Sequence, residues 1–298
     1  MKHLVYNSSI RQYIIHLRPL SLTMATESTE ASATSACASD CSCDESSSLT
    51  VTSRRKKIKG TGNEILFVDR LSQLAEISND NVQLVVWPTG DSNFLRALAN
   101  PSIPAENLPT FEGMVPALPK LVAEIIKKHI YLPYALRSRP NVLNEEEATE
   151  LSEHIDKLVQ QFADVAIQSG FMDGNVDGDV DEIPFVHVKL QVMTTDGCRF
   201  WHQDSVPFRL VSTLRGPCTE WVPPEFSTTT LKRKNHDSKH AQSMKLGDVA
   251  LFKGRGDVEA KSIFGHPGIV HRSPRIEGSG DARIVLVIDI PQQGWHFD

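Results

Sequence analysis

The stretch CRFWHQDSVPFRLVSTL, residues 198–214, joins a polar, histidine-bearing segment to a run rich in apolar and β-branched residues. The run VPFRLVSTL predicts a strand. In an extended chain alternate side chains share a face, so His202 and Asp204 point together and Gln203 points away. Two side chains able to hold a metal, on one face beside a strand, pose a choice. They are half of a metal site, or a polar strand end that spells His-x-Asp.

The surrounding sequence has the same texture. FVHVKLQVMTT (185–195), GDVALFKG (247–254), GHPGIVH (265–271) and ARIVLVIDIP (282–291) predict further strands. Upstream, EILFVD (64–69) and VQLVVWP (82–88) predict two short buried strands, and SNFLRALAN (92–100) a helix. MVPALPKLVAEIIKKHI (114–130) continues as helix after Pro119, a residue suited to a first turn. NEEEATELSEHIDKLVQQFADVAIQSG (144–170) predicts the longest helix, capped by Asn144 and ended by Gly170. Its stripe of Leu151, Ile155, Leu158, Phe162 and Val165 has helical spacing and reads as packing. Helices first and strands later predict an α+β fold, a helical layer on a β sandwich or barrel.

Composition excludes more than it selects. The chain has 298 residues, 40% hydrophobic and 23% charged, with a net charge of −6. That balance gives no reason to expect nucleic acid, and no apolar run is long enough for a membrane span. Of five cysteines, Cys37, Cys41 and Cys43 crowd a Ser-rich segment, while Cys198 and Cys218 lie in the expected folded part. An odd, sparse set is no disulfide framework and suits a reducing compartment. Residues 1–59 read as a disordered or targeting segment, and 60–298 as one α+β domain. The first 23 residues hold Lys2, Arg11 and Arg18 and no acid. They are an organellar transit peptide, or an over-extension ahead of a start at Met24; the expected location is organellar in the first case and cytoplasmic in the second.

Several candidate sites have a bland reading that wins. DGNVDGDVDE (173–182) matches the early positions of a calcium loop, but Pro184 stands where the bidentate Glu belongs. It reads as an acidic surface loop. KRKNHDSKH (232–240) sets His236 and His240 four apart in a cationic stretch and reads as a loop that could cover a site. RRKK (54–57) and CASDCSC (37–43) read as solvated charge and flexible thiols.

One constellation gathers several pieces. His202 and Asp204 lie between strands, GIVHRSPR (268–275) ends a strand with His271, and Arg283 opens the next strand. Two histidines and a carboxylate can hold one face of a divalent ion and leave the other open. An arginine one strand later can grip a carboxylate through a paired contact. Arg272 and Arg275 crowd the distal histidine and compete for that role. Arg209, Arg215 and Glu220 are candidates to orient the ligands by hydrogen bonds. Phe200 and Trp201 are candidates to wall the pocket. No catalytic side chain is expected beyond the metal site.

The order His-x-Asp, distal His, downstream Arg resembles the 2-oxoglutarate/Fe(II)-dependent oxygenases. The resemblance implies a double-stranded β-helix (cupin or jelly-roll-like) core at about 183–292 beneath an N-terminal helical layer. It implies His202, Asp204 and His271 as iron ligands, and Arg283, with Arg275 as the competing residue, as the anchor of 2-oxoglutarate. The blocks CRFWHQDSVPFRLVSTLRGPCTEWVP, GDVALFKG and HRSPRIEGSGDARIVLVIDIP resemble an uncharacterised family, domain of unknown function 1826, from about Ile65 to Pro291. Pro217-Cys218 departs from the Pro-Gly pair expected before Thr219-Glu220-Trp221. That family resemblance implies a second reading. In it the same three residues hold Zn(II) alone, the protein serves zinc homeostasis without oxygenase activity, and the partner is a metallochaperone GTPase. Under the oxygenase reading the cofactors are Fe(II) and 2-oxoglutarate, and the substrate is an unidentified small molecule or peptide.

Overall fold

The structure, a computed structural model, describes residues 64–131, 141–172, 183–256 and 268–291. They belong to one compact unit, Ser53–Gln293. The leader, the cysteine cluster, the RRKK run and the Asp173–Glu182 loop lie outside the described residues.

Ten strands are present among the described residues: β1 Glu64–Phe67, β2 Val82–Trp87, β3 Phe111–Pro116, β4 Phe185–Met193, β5 Phe208–Arg215, β6 Glu220–Val222, β7 Gln242–Ser243, β8 Val249–Lys253, β9 Val270–Arg272 and β10 Arg283–Asp289. The helices are α1 Asn93–Leu98, α2 Leu121–Ile130, α3 Glu145–Gln168 and α4 Ser227–Lys232, with a 3-10 helix at Leu71–Ser78. Seven strands form one sheet in the order β1-β2-β8-β5-β10-β4-β3, antiparallel except for the β1–β2 pair. β7, β6 and β9 form a second, antiparallel sheet. The fold is mixed α+β, as the order of elements predicts, with one correction. The N-terminal part is not only a helical layer, because β1, β2 and β3 supply both edges of the large sheet. β3 escaped the sequence reading because Gly113 and Pro116 weaken its strand signal; an edge strand tolerates both, since one side of its ladder is unpaired.

Period two in β10 divides the protein. Ile284, Leu286 and Ile288 turn toward the helices and join Leu151, Ile155, Leu158 and Phe162 of α3 in the main core. Phe162 meets Phe208 of β5 edge to face, with ring centroids 5.5 Å apart. α3 forms because its cap is complete: Asn144 Oδ1 accepts from the Glu147 amide at 2.9 Å, and Glu147 accepts from the Asn144 amide at 2.8 Å. α2 starts two residues after Pro119, behind a left-handed Lys120 at φ 71°, so Pro119 stands outside its first turn. The other face of β10 carries Arg283, Val285, Val287 and Asp289. Val285 packs there with Val211, Phe252 and Trp221, a core between the two sheets. Every feature of the candidate site lies on this second side. Among the described residues, no helix is long and apolar enough to cross a membrane.

Candidate metal centre

His202 and His271 lie on adjacent backbones. Each amide donates to the other residue's carbonyl at 3.0 Å, an isolated antiparallel bridge that extends the edge of β9. Residues opposed across such a bridge project their side chains to the same side, so the two rings emerge together, with centroids 4.5 Å apart. Asp204 follows two residues on. His202 Nε2 lies 3.8 Å from Asp204 Oδ1, and His271 Nε2 lies 3.5 Å from Asp204 Oδ2. One donor atom from each of the three residues falls within 4.8 Å of the others. His271 and Asp204 are buried and His202 is half-buried.

The hydrogen positions follow from the neighbours. His202 Nδ1 is 2.8 Å from the Phe200 carbonyl, and His271 Nδ1 is 3.3 Å from the Ile269 carbonyl. A carbonyl only accepts, so each Nδ1 carries the hydrogen, and in the neutral ring Nε2 is the nitrogen left to bind a metal. Burial pushes His271 down to about 4, against the pull of the Asp204 carboxylate, so its ring is neutral at neutral pH. Asp204 Oδ2 is buried and accepts no hydrogen bond. Such an oxygen costs about 1–3 kcal/mol. Three possible ligand atoms therefore converge, and one divalent cation would satisfy all three. The donor set fits a borderline transition ion such as Fe(II) or Zn(II).

The segment holding Asp204 is clamped to the end of β8. Arg255 donates its amide to the Asp204 carbonyl at 2.8 Å, and Gly254 donates to Pro207 at 2.8 Å. A Cβ at Gly254 would stand 1.9 Å from the Val206 carbonyl oxygen, so this approach requires glycine. Gln203, facing away from Asp204 as alternation predicts, donates its amide to the Gly268 carbonyl.

Arg283 is 2% exposed. Its Nη2 donates to Thr219 Oγ1 at 2.6 Å and to Thr213 Oγ1 at 3.3 Å, and its Nη1 to Ser273 Oγ at 3.1 Å. Its Nε is buried without a partner. Among the described residues these partners are hydroxyls, and no carboxylate pairs with the guanidinium. Burial lowers its pKa to about 10, which leaves it charged at neutral pH. Ser273 stands two residues after His271, which ties this cation to the strand that carries the distal histidine.

The other expected residues are placed differently. Arg275 is exposed, and Asp237 is its near charge at 3.9 Å. Arg272 is buried and occupied: Nε donates to Glu220 at 2.6 Å, Nη2 to Asp237 at 2.9 Å, and its plane lies 4.4 Å over Trp201. Trp201 packs with Val222 and Val270, and its Nε1 donates to the His236 carbonyl at 2.9 Å. It therefore backs the histidine bridge, and the Lys232–His240 segment is seated on it. His240 stacks on Phe226 at 3.5 Å. Phe200 is exposed under Arg199. Arg215 reaches the Ile103 carbonyl on the helical side. Arg209 does touch the triad, donating to Asp204 Oδ1 at 2.8 Å. Sequence reading missed the hydroxyl cradle of Arg283, since Thr213, Thr219 and Ser273 come from three separate segments. It also missed Asp289, although an acid within the apolar run IVLVIDI, an even number of residues from Arg283, was a usable signal.

Residues 68–289 match the family described as a protein of unknown function, DUF1826, and the chain belongs to that family. No curated protein matches it. Among solved structures, it is similar to the dioxygenase for auxin oxidation of rice, at 13% identity and a TM-score of 0.40, covering 74% of this chain and 76% of that one. The 2-oxoglutarate complex of dioxygenase for auxin oxidation 1 from Arabidopsis thaliana gives 11% identity and 0.41, covering 77% and 93%. A full-length Neurospora crassa protein solved in complex with alpha-KG gives 11% and 0.37, covering 79% and 87%. All three are distant likenesses.

Proposed function

We propose that this protein is a non-haem Fe(II)- and 2-oxoglutarate-dependent oxygenase, with the two facing sheets forming a double-stranded β-helix around the site. The observation that carries the reading is Arg283. A buried cation held by three hydroxyls, with no carboxylate opposite among the described residues, is an expensive arrangement for structure alone. It is a fitting receptor for the far carboxylate of a dicarboxylic acid, because the guanidinium keeps an unpartnered Nε and each neighbouring hydroxyl has a hydrogen to donate. A zinc-only protein would share the triad but would give Arg283 no task.

In this reading His202, Asp204 and His271 hold the metal through Nε2, Oδ2 and Nε2. Bound there, ferrous iron would supply the oxygen chemistry that no side chain of this set performs. The chain does the rest. The Phe200 and Ile269 carbonyls fix the two ring tautomers. Phe252, 4.8 Å from the His271 ring, keeps water from its buried side. Arg283 and its hydroxyls orient the keto acid. The substrate to be oxidised stays unnamed.

The test is titration of the purified chain with Fe(II) and 2-oxoglutarate without oxygen, then succinate release on adding oxygen. Wild type should bind both and form succinate. His271→Ala should lose metal and keto acid. Arg283→Met should keep the metal and lose keto-acid affinity by at least roughly 100-fold, the loss expected for a charge-assisted contact worth about 3 kcal/mol. A wild-type chain that binds metal yet has no affinity for 2-oxoglutarate overturns the oxygenase reading.

A further inference from the structure

Asp204 lies on a segment with no strand of its own, between the histidine bridge and β5. Among the described residues its side chain accepts one hydrogen bond, from Arg209 Nη1 at 2.8 Å to Oδ1. Arg209 in turn stands opposite Asp289 in the β5–β10 register. Its Nε and Nη2 donate to the two oxygens of Asp289 at 2.7 and 2.9 Å. Asp289 is 2% exposed and is no part of the triad. One planar guanidinium therefore spends two nitrogens on an anchor within the sheet and the third on the carboxylate of the triad.

The geometry points to Arg209 as the positioning residue of the metal centre, holding Asp204 as a one-oxygen ligand, with Asp289 as its anchor. A carboxylate free to rotate can offer a metal both oxygens and fill an additional position. Here Oδ1 is engaged by Arg209, and Oδ2, the oxygen near His271 Nε2, is the one left to bind. Two imidazole nitrogens and a single oxygen then leave a whole face of the ion open. A keto acid that chelates through two atoms, together with oxygen, needs that face. The fork geometry suits this task, since lysine is a point charge and cannot grip Asp289 and Asp204 in fixed directions at once. The inference rests on the metal reading above but adds to it, because it concerns how the carboxylate binds.

Cobalt(II) is the probe, because its visible absorption reports coordination number and its affinity is measured by competition with a chromophoric chelator. The main variant is the double substitution Arg209→Met with Asp289→Leu, which removes the anchoring pair as a unit and replaces it with apolar side chains of similar bulk. Wild type should bind one Co(II) per chain. The double variant should melt near wild type in the metal-free state, bind Co(II) about 10–100-fold more weakly, and show shifted visible bands. Arg209→Lys should fall between the two. A folded double variant with wild-type affinity and spectrum overturns the assignment and reduces Arg209 to a structural ion pair. If the double variant does not fold, Arg209→Lys decides on the same two readouts. A wild-type chain that binds no Co(II) sinks the metal reading itself, a result distinct from failure of the positioning role.

Discussion

The two ends of β10 carry opposite charges in nearly matching settings. Arg283 and Asp289 share one face of the strand, opposite Met193 and His187 of β4, and both are 2% exposed. Their partners differ. Asp289 receives a forked ion pair from Arg209, whereas among the described residues Arg283 has only hydroxyls and an unpartnered Nε. A charge matched within the chain belongs to the fold. Under the reading proposed above, a charge left without a carboxylate partner among the described residues is available to a ligand carboxylate. The pair thus contrasts a matched and an unmatched buried charge within one seven-residue strand.

Removing the matched charge should have the largest effect on stability. Asp289→Ala leaves Arg209 partly uncompensated and should cost about 3–5 kcal/mol in urea denaturation. A loss under about 1 kcal/mol would break the comparison, since Asp289 would then be no more integral than Arg283. The unmatched end should respond with the opposite sign. Arg283→Met deletes a buried charge that no carboxylate among the described residues neutralises, so the metal-free protein should gain about 1–3 kcal/mol. A destabilised Arg283→Met chain would mean that the hydroxyl cradle is structural.

The smallest effect concerns acid. His187 stands opposite Asp289 on β4, and its pKa is pushed down to about 4. Burial is the main cause, with Lys189 and Arg209 adding to it and Glu112 opposing. An unfolded histidine takes its proton near 6.5, so between there and about 4 the unfolded chain binds more protons. Stability contributed by neutral His187 is full above that window and is lost as pH falls through it. Allowing for solvent around the exposed Glu112, the loss should be about 1 kcal/mol. His187→Gln should flatten that limb of the stability–pH curve, and Arg283→Met should leave its slope unchanged. An equal change in both variants would erase the distinction between the two ends.

What the sequence made legible follows from local rules. The α3 stripe, the Asn144 cap and the β4, β5, β8 and β10 runs are each written within a few consecutive residues. His202 and Asp204 were legible as a pair because strand alternation is local. His271 was legible as the end of an apolar run. β3 was not, because Gly113 and Pro116 suppress a strand signal that its pairing with β4 supplies. Arg272 and Arg275 compete with Arg283 in the sequence, since only tertiary contacts reveal that Arg272 is already engaged by Glu220 and Asp237. The roles of Arg209 and Asp289 depend on the β5–β10 register, which no single segment encodes.

The bridge between His202 and His271 has a consequence for how the protein matures. The two imidazoles become neighbours only when distant parts of the chain have closed into adjacent backbones, at an entropic cost that grows with the length of the loop. An incompletely folded chain therefore presents no triad. Any metal that binds would reward only the finished topology, stabilising it by RT ln(1 + [L]/Kd). Loading the centre would then act as proofreading, in which the ion marks the chains that have assembled their last sheet.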